Sequence, residues 1–221
     1  MEGIDEDKAS HIFNIKKNQL KMVERRGFDI SKEKNMLETS KDAFIDAYVP
    51  FARKQKKTLR EVISHVYTNA KGEKLYVFFA DPEPKKKQLG TESIGLMIQN
   101  MDKNRSKNAI LITPLPLSSK AGKKLQDLLT YSFSIFNEGE MSYDPTEHYL
   151  VPAHRGMGVE EQRDFLQRNK LSVEQFPIML ASDIIARYYG FRPGMIVEIK
   201  KINLYDTIVQ NSLSYRYVKL N

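Results

Sequence analysis

Cysteine does not occur in this chain of 221 residues. That single absence excludes disulfides, thiolate zinc sites and cysteine nucleophiles together, and it fits an intracellular protein. No apolar run reaches the ~20 residues that a membrane-spanning helix needs. The amino terminus, Met1-Glu2-Gly3-Ile4-Asp5-Glu6-Asp7-Lys8, is acidic and lacks the basic-then-apolar layout of a secretory signal. Internal repeats and low-complexity tracts are missing too. So are the patterns of familiar active sites: there is no H-E-x-x-H, no G-x-S-x-G, no Walker lysine and no kinase signature. His148 and His154 stand six apart with Pro152 between them, so they cannot share a helical face, and a structural role suits them better than metal binding. Gly156-Met157-Gly158 precedes a helix but lacks the third glycine of a dinucleotide loop. Carboxylates that could hold two metals for a nuclease are not grouped. The chain is therefore expected to hold no cofactor and to have no catalytic activity of its own.

What the chain does have is positive charge, unevenly spread. Lys and Arg number 35 against 28 Asp and Glu, a net +7, while 41% hydrophobic and 29% charged residues is a globular balance. From Met141 onward ten basic residues meet nine acidic ones, so almost all of the excess lies earlier. Residues 51–90 alone hold ten basic and four acidic side chains. A positive half favours a polyanion neighbour, because Lys and Arg beside phosphates release counterions. A solvated surface that keeps the protein soluble explains the same charge equally well. The runs Arg53–Lys57 and Lys85–Lys87 contain no interleaved aromatics, as a stacking platform for single strands would require.

Hydrophobic spacing predicts the elements. Ile12, Ile15, Gln19, Met22 and Val23 recur at helical intervals from His11 to Arg26, with Gly27 as the stop. Ser31 is placed to cap a second helix through Met36, Leu37, Phe44, Ala47 and Tyr48, giving a helical hairpin. The period then falls to two: Val62–Tyr67 and Lys74–Phe79 read as strands around the turn Asn69-Ala70-Lys71-Gly72-Glu73. Thr91 reads as the cap of a helix through Ile94, Met97, Ile98 and Met101. Asn108–Thr113 is an apolar strand, a helix through Leu125, Leu128 and Leu129 follows, and Tyr131–Phe136 is a further strand. Strand, helix and strand in that order predict parallel pairing with crossover helices. The polar stretch Asn137-Glu138-Gly139-Glu140 separates a domain of residues 1–140 from one of residues 141–221. The expected fold class is α/β with a mixed sheet for the first and a small α+β unit for the second. The second should hold a helix at Val159–Arg168, a capping box at Ser172-Val173-Glu174-Gln175, and closing strands at Met195–Lys200 and Ser214–Leu220.

The densest information lies in Pro177–Lys200. Ser182 or Asp183 can cap a short helix through Ile184, Ile185, Ala186, Arg187, Tyr188 and Tyr189, and Gly190 can end it left-handed. Arg192-Pro193-Gly194 reads as a tight turn, with a half-buried strand after it. Helical neighbours point about 100° apart, so one tyrosine is expected in the unit's own core and the other outside. Arg and Tyr offer large contact areas with few lost rotamers, which suits a docking surface. The run Ala181-Ser182-Asp183-Ile184-Ile185-Ala186-Arg187-Tyr188-Tyr189-Gly190 and the upstream Thr146-Glu147-His148-Tyr149-Leu150-Val151-Pro152-Ala153-His154 resemble one family. It is the small fifth subunit shared by nuclear RNA polymerases, which has an archaeal equivalent, and the likeness is to its carboxy-terminal domain. Tyr76-Val77-Phe78-Phe79, Glu83-Pro84-Lys85, Met97-Ile98-Gln99-Asn100-Met101 and Ala109-Ile110-Leu111-Ile112 are similar, with less fidelity, to the amino-terminal domain of eukaryotic-type members.

The resemblance implies a non-catalytic subunit of a multisubunit DNA-directed RNA polymerase. The first domain would form part of the jaw beside downstream duplex DNA, and the second would anchor on the largest subunit. Nucleotide chemistry and its Mg²⁺ would belong to other chains, with no membrane and no small-molecule substrate for this one. DNA-proximal residues would be Ser118, Ser119, Lys120, Lys123 and Lys124. The family places Thr-Pro-Ser-Ala there, whereas this chain has Ser118-Ser119-Lys120-Ala121, losing the proline and adding lysines at a helix start that suits phosphate. The surface for the large subunit would involve Arg187, Tyr188, Tyr189, Gly190, Pro193, Gly194, Tyr215 and Arg216. Ile184 in place of a proline and the altered segment 201–211 depart from the family pattern and point to a divergent lineage, such as a large DNA virus. The nucleus is expected for a cellular member and the cytoplasm or virion for a viral one. Charge alone also suits an autonomous basic DNA-binding module, and recovery of the two large polymerase subunits in a native pull-down separates the alternatives.

Overall fold

A computed structural model describes residues 6–82, 86–202 and 211–220. The chain divides into two compact units, Met1–Tyr143 and Asp144–Asn221. In the first, α1 (Glu6–Arg25) leads through a 3-10 turn (Lys34–Leu37) to α2 (Lys41–Gln55) and the short α3 (Leu59–Ile63). Then come β1 (His65–Thr68), β2 (Lys74–Phe79), α4 (Thr91–Asn104), β3 (Asn108–Thr113), α5 (Ser119–Gln126), β4 (Ser132–Asn137) and the single-turn α6 (Glu138–Met141). The strands line up as β1-β2-β3-β4. β1 and β2 form an antiparallel hairpin, whereas β2/β3 and β3/β4 pair in parallel across α4 and α5, as the strand–helix–strand order requires. β2 and β3 are buried on both faces, as central strands covered by helices are. Tyr76, Phe78, Ala109 and Leu111 pack with Ile94, Met97 and Met101 of α4 and with Ala121 and Leu125 of α5. Leu75, Val77, Phe79, Ile110 and Ile112 face the other way by the two-residue period and are buried as well.

That second face contains a buried ion pair. Lys16 of α1 is fully buried, its ammonium 3.0 Å from Glu33 Oε1 and 6.0 Å from the Phe79 ring centre. The ammonium also donates to Glu33 Oε2 at 3.2 Å, Ile63 O at 3.1 Å and the Tyr67 hydroxyl at 2.9 Å. Tyr67 in turn donates to Glu33, and His65 Nδ1 lies 3.6 Å from the same carboxylate. Burial pushes the Lys16 ammonium below its ordinary pKa. Burial acts upward on Glu33, but the Lys16 and His65 charges and the donated hydrogen bonds outweigh it and hold the carboxyl below the usual range.

The second unit contains β5 (Ala153–Gly156), α7 (Val159–Asn169), β6 (Ile178–Leu180), α8 (Ile184–Tyr189), β7 (Ile196–Ile202) and β8 (Asn211–Lys219). The sheet order is β5-β7-β8-β6, with β7 antiparallel to β5 and β8, and β6 parallel to β8. Met179, Val197, Ile199 and Val218 pack with Ile185 and Ala186 of α8. On the opposite face the Tyr215 ring lies 4.7 Å from that of Phe165 on α7. Gly156 lies in close packing: a Cβ there would come within 2.7 Å of the Met195 methyl and 3.1 Å of the Phe191 ring, so both side chains would have to shift. The α/β and α+β classes are thus those expected.

Element ends depart from expectation where local hydrogen bonds override the apolar period. Ser31 caps nothing: its N–H and hydroxyl both turn to Asp29 Oδ1, the N–H at 2.8 Å. The cap of α2 is Ser40, whose Oγ accepts from Ala43 N–H at 3.3 Å. Val62 belongs to a helix and not a strand, because Thr58 and Glu61 form a capping box. Thr58 N–H to Glu61 Oε2 spans 2.8 Å and Glu61 N–H to Thr58 Oγ1 3.1 Å. Gly90 is the N-cap of α4, and Thr91 is its first residue. α5 stops at Gln126, leaving Leu129 92% exposed. β5 and β6, of four and three residues, are strands too short to reveal a period. Glu138 of the polar stretch 137–140 is buried and paired with Arg60 of α3. Lys85 and most of the altered segment 201–211 lie outside the described residues.

Candidate nucleic-acid and subunit interfaces

The lysines singled out in the first unit share a helix face. Ser118 is the N-cap of α5, its Oγ accepting from Ala121 N–H at 3.2 Å. Lys120, Lys123 and Lys124 then fall at i, i+3 and i+4. Lys120 and Lys123 are exposed, while Lys124 is half-buried with its Nζ beside Gly95 of α4. Ser119 occupies the first helical position, where proline is tolerated because its missing N–H would have no intrahelical partner. With serine there, the helix start gains an amide donor that the proline of the Thr-Pro-Ser-Ala pattern lacks.

A long-range pairing enlarges this surface. Leu89 N–H donates to Pro116 O at 2.9 Å, and Ser118 N–H donates to Leu89 O at 3.0 Å. The start of α4 is thereby sewn to the start of α5. Lys86, Lys87, Gln88 and Gly90 line a shallow hollow of about 540 Å³ with Pro116 and Ser118. Two helix N-termini with lysines on either side suit an anion. In the sequence these are two separate basic runs, and nothing in either marks the other as a neighbour. The third run, Arg53–Lys57, ends α2 instead, with Lys56 as a left-handed C-cap where cations complement the helix dipole.

In the second unit the signature folds as its residues dictate. Asp183 caps α8, its Oδ1 accepting from Ile185 N–H at 2.8 Å. Gly190 ends the helix at φ 72°, with Gly190 N–H bonded to Arg187 O at 3.2 Å and Phe191 N–H to Ala186 O at 2.9 Å. Gly194, at φ 93°, closes the turn in which Met195 N–H reaches Arg192 O at 3.1 Å. Arg187 Nε donates to Ser182 O at 3.1 Å, and Tyr189 stacks on Phe191 with ring centres 5.2 Å apart.

Two sequence expectations change here. Tyr188 is 1% exposed, so it belongs to the core and not to a partner surface. Its hydroxyl donates to Asp144 Oδ2 at 3.0 Å, and Asp144 Oδ1 accepts from Thr146 N–H at 2.9 Å. The T-E-H run and the R-Y-Y run are therefore tied by an aspartate that no sequence pattern singled out. Tyr215 and Arg216 are neighbours on one strand and point to opposite faces, so they cannot serve one patch. Tyr215 joins Phe165 and Phe176 under α7, whereas Arg216, Pro193 and Gly194 are exposed.

Gln162 of α7 is another residue missed by pattern. Its Nε2 donates to Gly194 O at 2.9 Å and its Oε1 accepts from Ile196 N–H at 2.9 Å. Gln162→Ala is expected to cost about 1–2 kcal/mol in urea unfolding, and a loss under a few tenths would show that water replaces both bonds. Burial lowers the pKa of His154, whose Nδ1 lies 2.7 Å from Pro152 O. Among the described residues, no group of three or more His, Asp or Glu is placed to hold a metal ion.

Residues 6–101 match the family described as RNA polymerase Rpb5, N-terminal domain, and residues 143–218 that described as RNA polymerase Rpb5, C-terminal domain. A Caenorhabditis briggsae protein named DNA-directed RNA polymerases I, II, and III subunit RPABC1 is 31% identical over 199 residues, covering 88% of this chain and 90% of the relative. An Arabidopsis thaliana protein, DNA-directed RNA polymerase subunit 5-like protein 1, is 25% identical over 197 residues, or 89% and 91% of the two chains. The Saccharolobus shibatae subunit Rpo5 is 41% identical over 76 residues, 34% of this chain and 86% of the relative. Both units thus define a subunit of a DNA-directed RNA polymerase, a component of the transcription machinery. Within that class, the chain belongs to the Rpb5 family.

Proposed function

We propose that the chain is a non-catalytic subunit of a nuclear polymerase. Its first unit lines the jaw beside downstream duplex DNA, and its second anchors on the largest subunit. The observation that carries the role at DNA is the joined basic surface at the starts of α4 and α5, where two helix N-termini and lysines converge. Groups of that kind hold phosphates without reading bases, as a subunit gripping any template must. The anchoring role is supported by apolar side chains that the second unit leaves uncovered. Ile178 and Leu180 of the edge strand β6 are 52% and 48% exposed. The nuclear setting is supported by the eukaryotic relatives, one of them named for polymerases I, II and III.

Changing Lys120, Lys123 and Lys124 to Glu in the assembled polymerase is expected to weaken DNA binding. The salt dependence should flatten by roughly 0.9 in log–log slope for each phosphate no longer neutralised. Ser119→Pro, which keeps the helix start, should weaken binding less. Unchanged affinity and slope in the charge-reversed enzyme would refute the role at DNA. A native pull-down that recovers neither large subunit would refute the anchoring role.

A further inference from the structure

We infer that the second unit carries a socket for an acidic side chain of the polymerase subunit on which it docks. The inference rests on the anchoring role above and adds the chemistry of one contact. α8 covers only part of its face of the sheet, over Met179, Val197, Ile199 and Val218. Beyond this apolar part the same face turns polar. The β7/β8 register puts Ser214 opposite Ile199 and Arg216 opposite Val197, while Lys201 follows Ile199 by two residues. On the other side, β5 sets His154 opposite Ile199. A cavity of about 270 Å³ opens among these side chains, floored by Met179, Ile185 and Ile199.

Its charge is unbalanced. Lys201 and Arg216 line the cavity, and neither makes a side-chain hydrogen bond or ion pair among the described residues. The carboxylate on the wall, Asp183, already commits Oδ1 to Ile185 N–H at 2.8 Å as the cap of α8. His154 turns Nδ1 to Pro152 O at 2.7 Å. Among the described residues, two cations therefore face one carboxylate above an apolar floor. A carboxylate on a short methylene stem meets both conditions. Its oxygens accept from the Arg216 guanidinium, the Lys201 ammonium and the Ser214 hydroxyl, while the stem lies on Ile185 and Ile199. The space falls below the ~300–1,000 Å³ of small-molecule sites, and so suits a side chain better than a nucleotide.

The test titrates the full-length chain against polymerase core that lacks it. Arg216→Gln combined with Lys201→Gln removes both charges at similar length. Association is expected to weaken roughly 30-fold and to lose much of its salt dependence. Ser214→Leu fills the socket without touching either charge and is expected to weaken association as well, which keeps the test decisive should the double variant not fold. If both variants bind as tightly as the unaltered chain, the socket is overturned and the anchoring role stands. If the unaltered chain does not bind the core, the anchoring role fails and the socket with it. Loss of DNA binding with subunit association intact would make a phosphate the occupant, which also overturns the proposal.

Discussion

Lys16→Met is expected to destabilise the first unit by about 3–5 kcal/mol, a large share of what holds a typical domain folded. The ammonium is fully buried and reaches Glu33, the Ile63 carbonyl and the Tyr67 hydroxyl. Methionine fills similar space but leaves the Glu33 carboxylate buried without its main counter-charge. Lys16→Met with Glu33→Leu should be less damaging than Lys16→Met alone, because an apolar pair of similar volume can replace a buried ion pair at little net cost. The pH response separates this explanation from simple packing loss. In the unaltered protein Glu33 is held below its ordinary pKa. Its contribution is then complete above the unfolded-state value of about 4.3 and fades as pH falls through the lower folded value. Without Lys16, burial acts on the carboxyl with less opposition and raises its pKa. The variant should therefore recover stability, relative to the unaltered chain, between neutral pH and about pH 5. Urea unfolding at the two pH values checks both statements. A loss below about 1 kcal/mol with no pH dependence would overturn them.

Tyr188→Ala should cost the second unit about 3–5 kcal/mol and take subunit assembly with it. The side chain lies in the core of that unit, and its hydroxyl meets Asp144, which also caps the turn at Pro145–Glu147. Tyr188→Phe isolates the hydrogen bond. It should cost about 1–3 kcal/mol, the range for losing a buried hydrogen bond to a charged group. A loss below a few tenths of a kcal/mol in the Phe variant would show that another donor or water serves Asp144, which is 6% exposed. Tyr189→Ala should cost less than Tyr188→Ala, about 1–2 kcal/mol, since that ring is partly buried, stacked on Phe191 and edge-on to Tyr188.

Much of this was legible in the sequence, and the boundary has physical causes. The crossovers α4 and α5 announce themselves because a helix between two apolar strands carries the chain back to the same end of the sheet, so the strands pair in parallel. Asp183, Gly190 and Gly194 were legible because a cap, a left-handed helix end and a tight turn each need a particular residue type. Ser31 misled because serine caps helices and closes local turns with the same oxygen, and Asp29 two residues earlier decides between them. Lys16 sat among apolar helix positions without a signal, since its partners Glu33, Ile63 and Tyr67 are distant in the chain. The same holds for Asp144 with Tyr188, and for Leu89 with Pro116 and Ser118. No local pattern encodes which distant segment supplies a partner.

The stitch at Leu89 has a consequence in time and entropy. Its two backbone hydrogen bonds fix the approach to α4 against the approach to α5 as the unit folds. Any anion that arrives there later meets donors already in position, so the segment 88–90 need not be ordered on arrival. Encounter should then be governed by long-range attraction and should slow steeply with ionic strength, without a separate conformational phase.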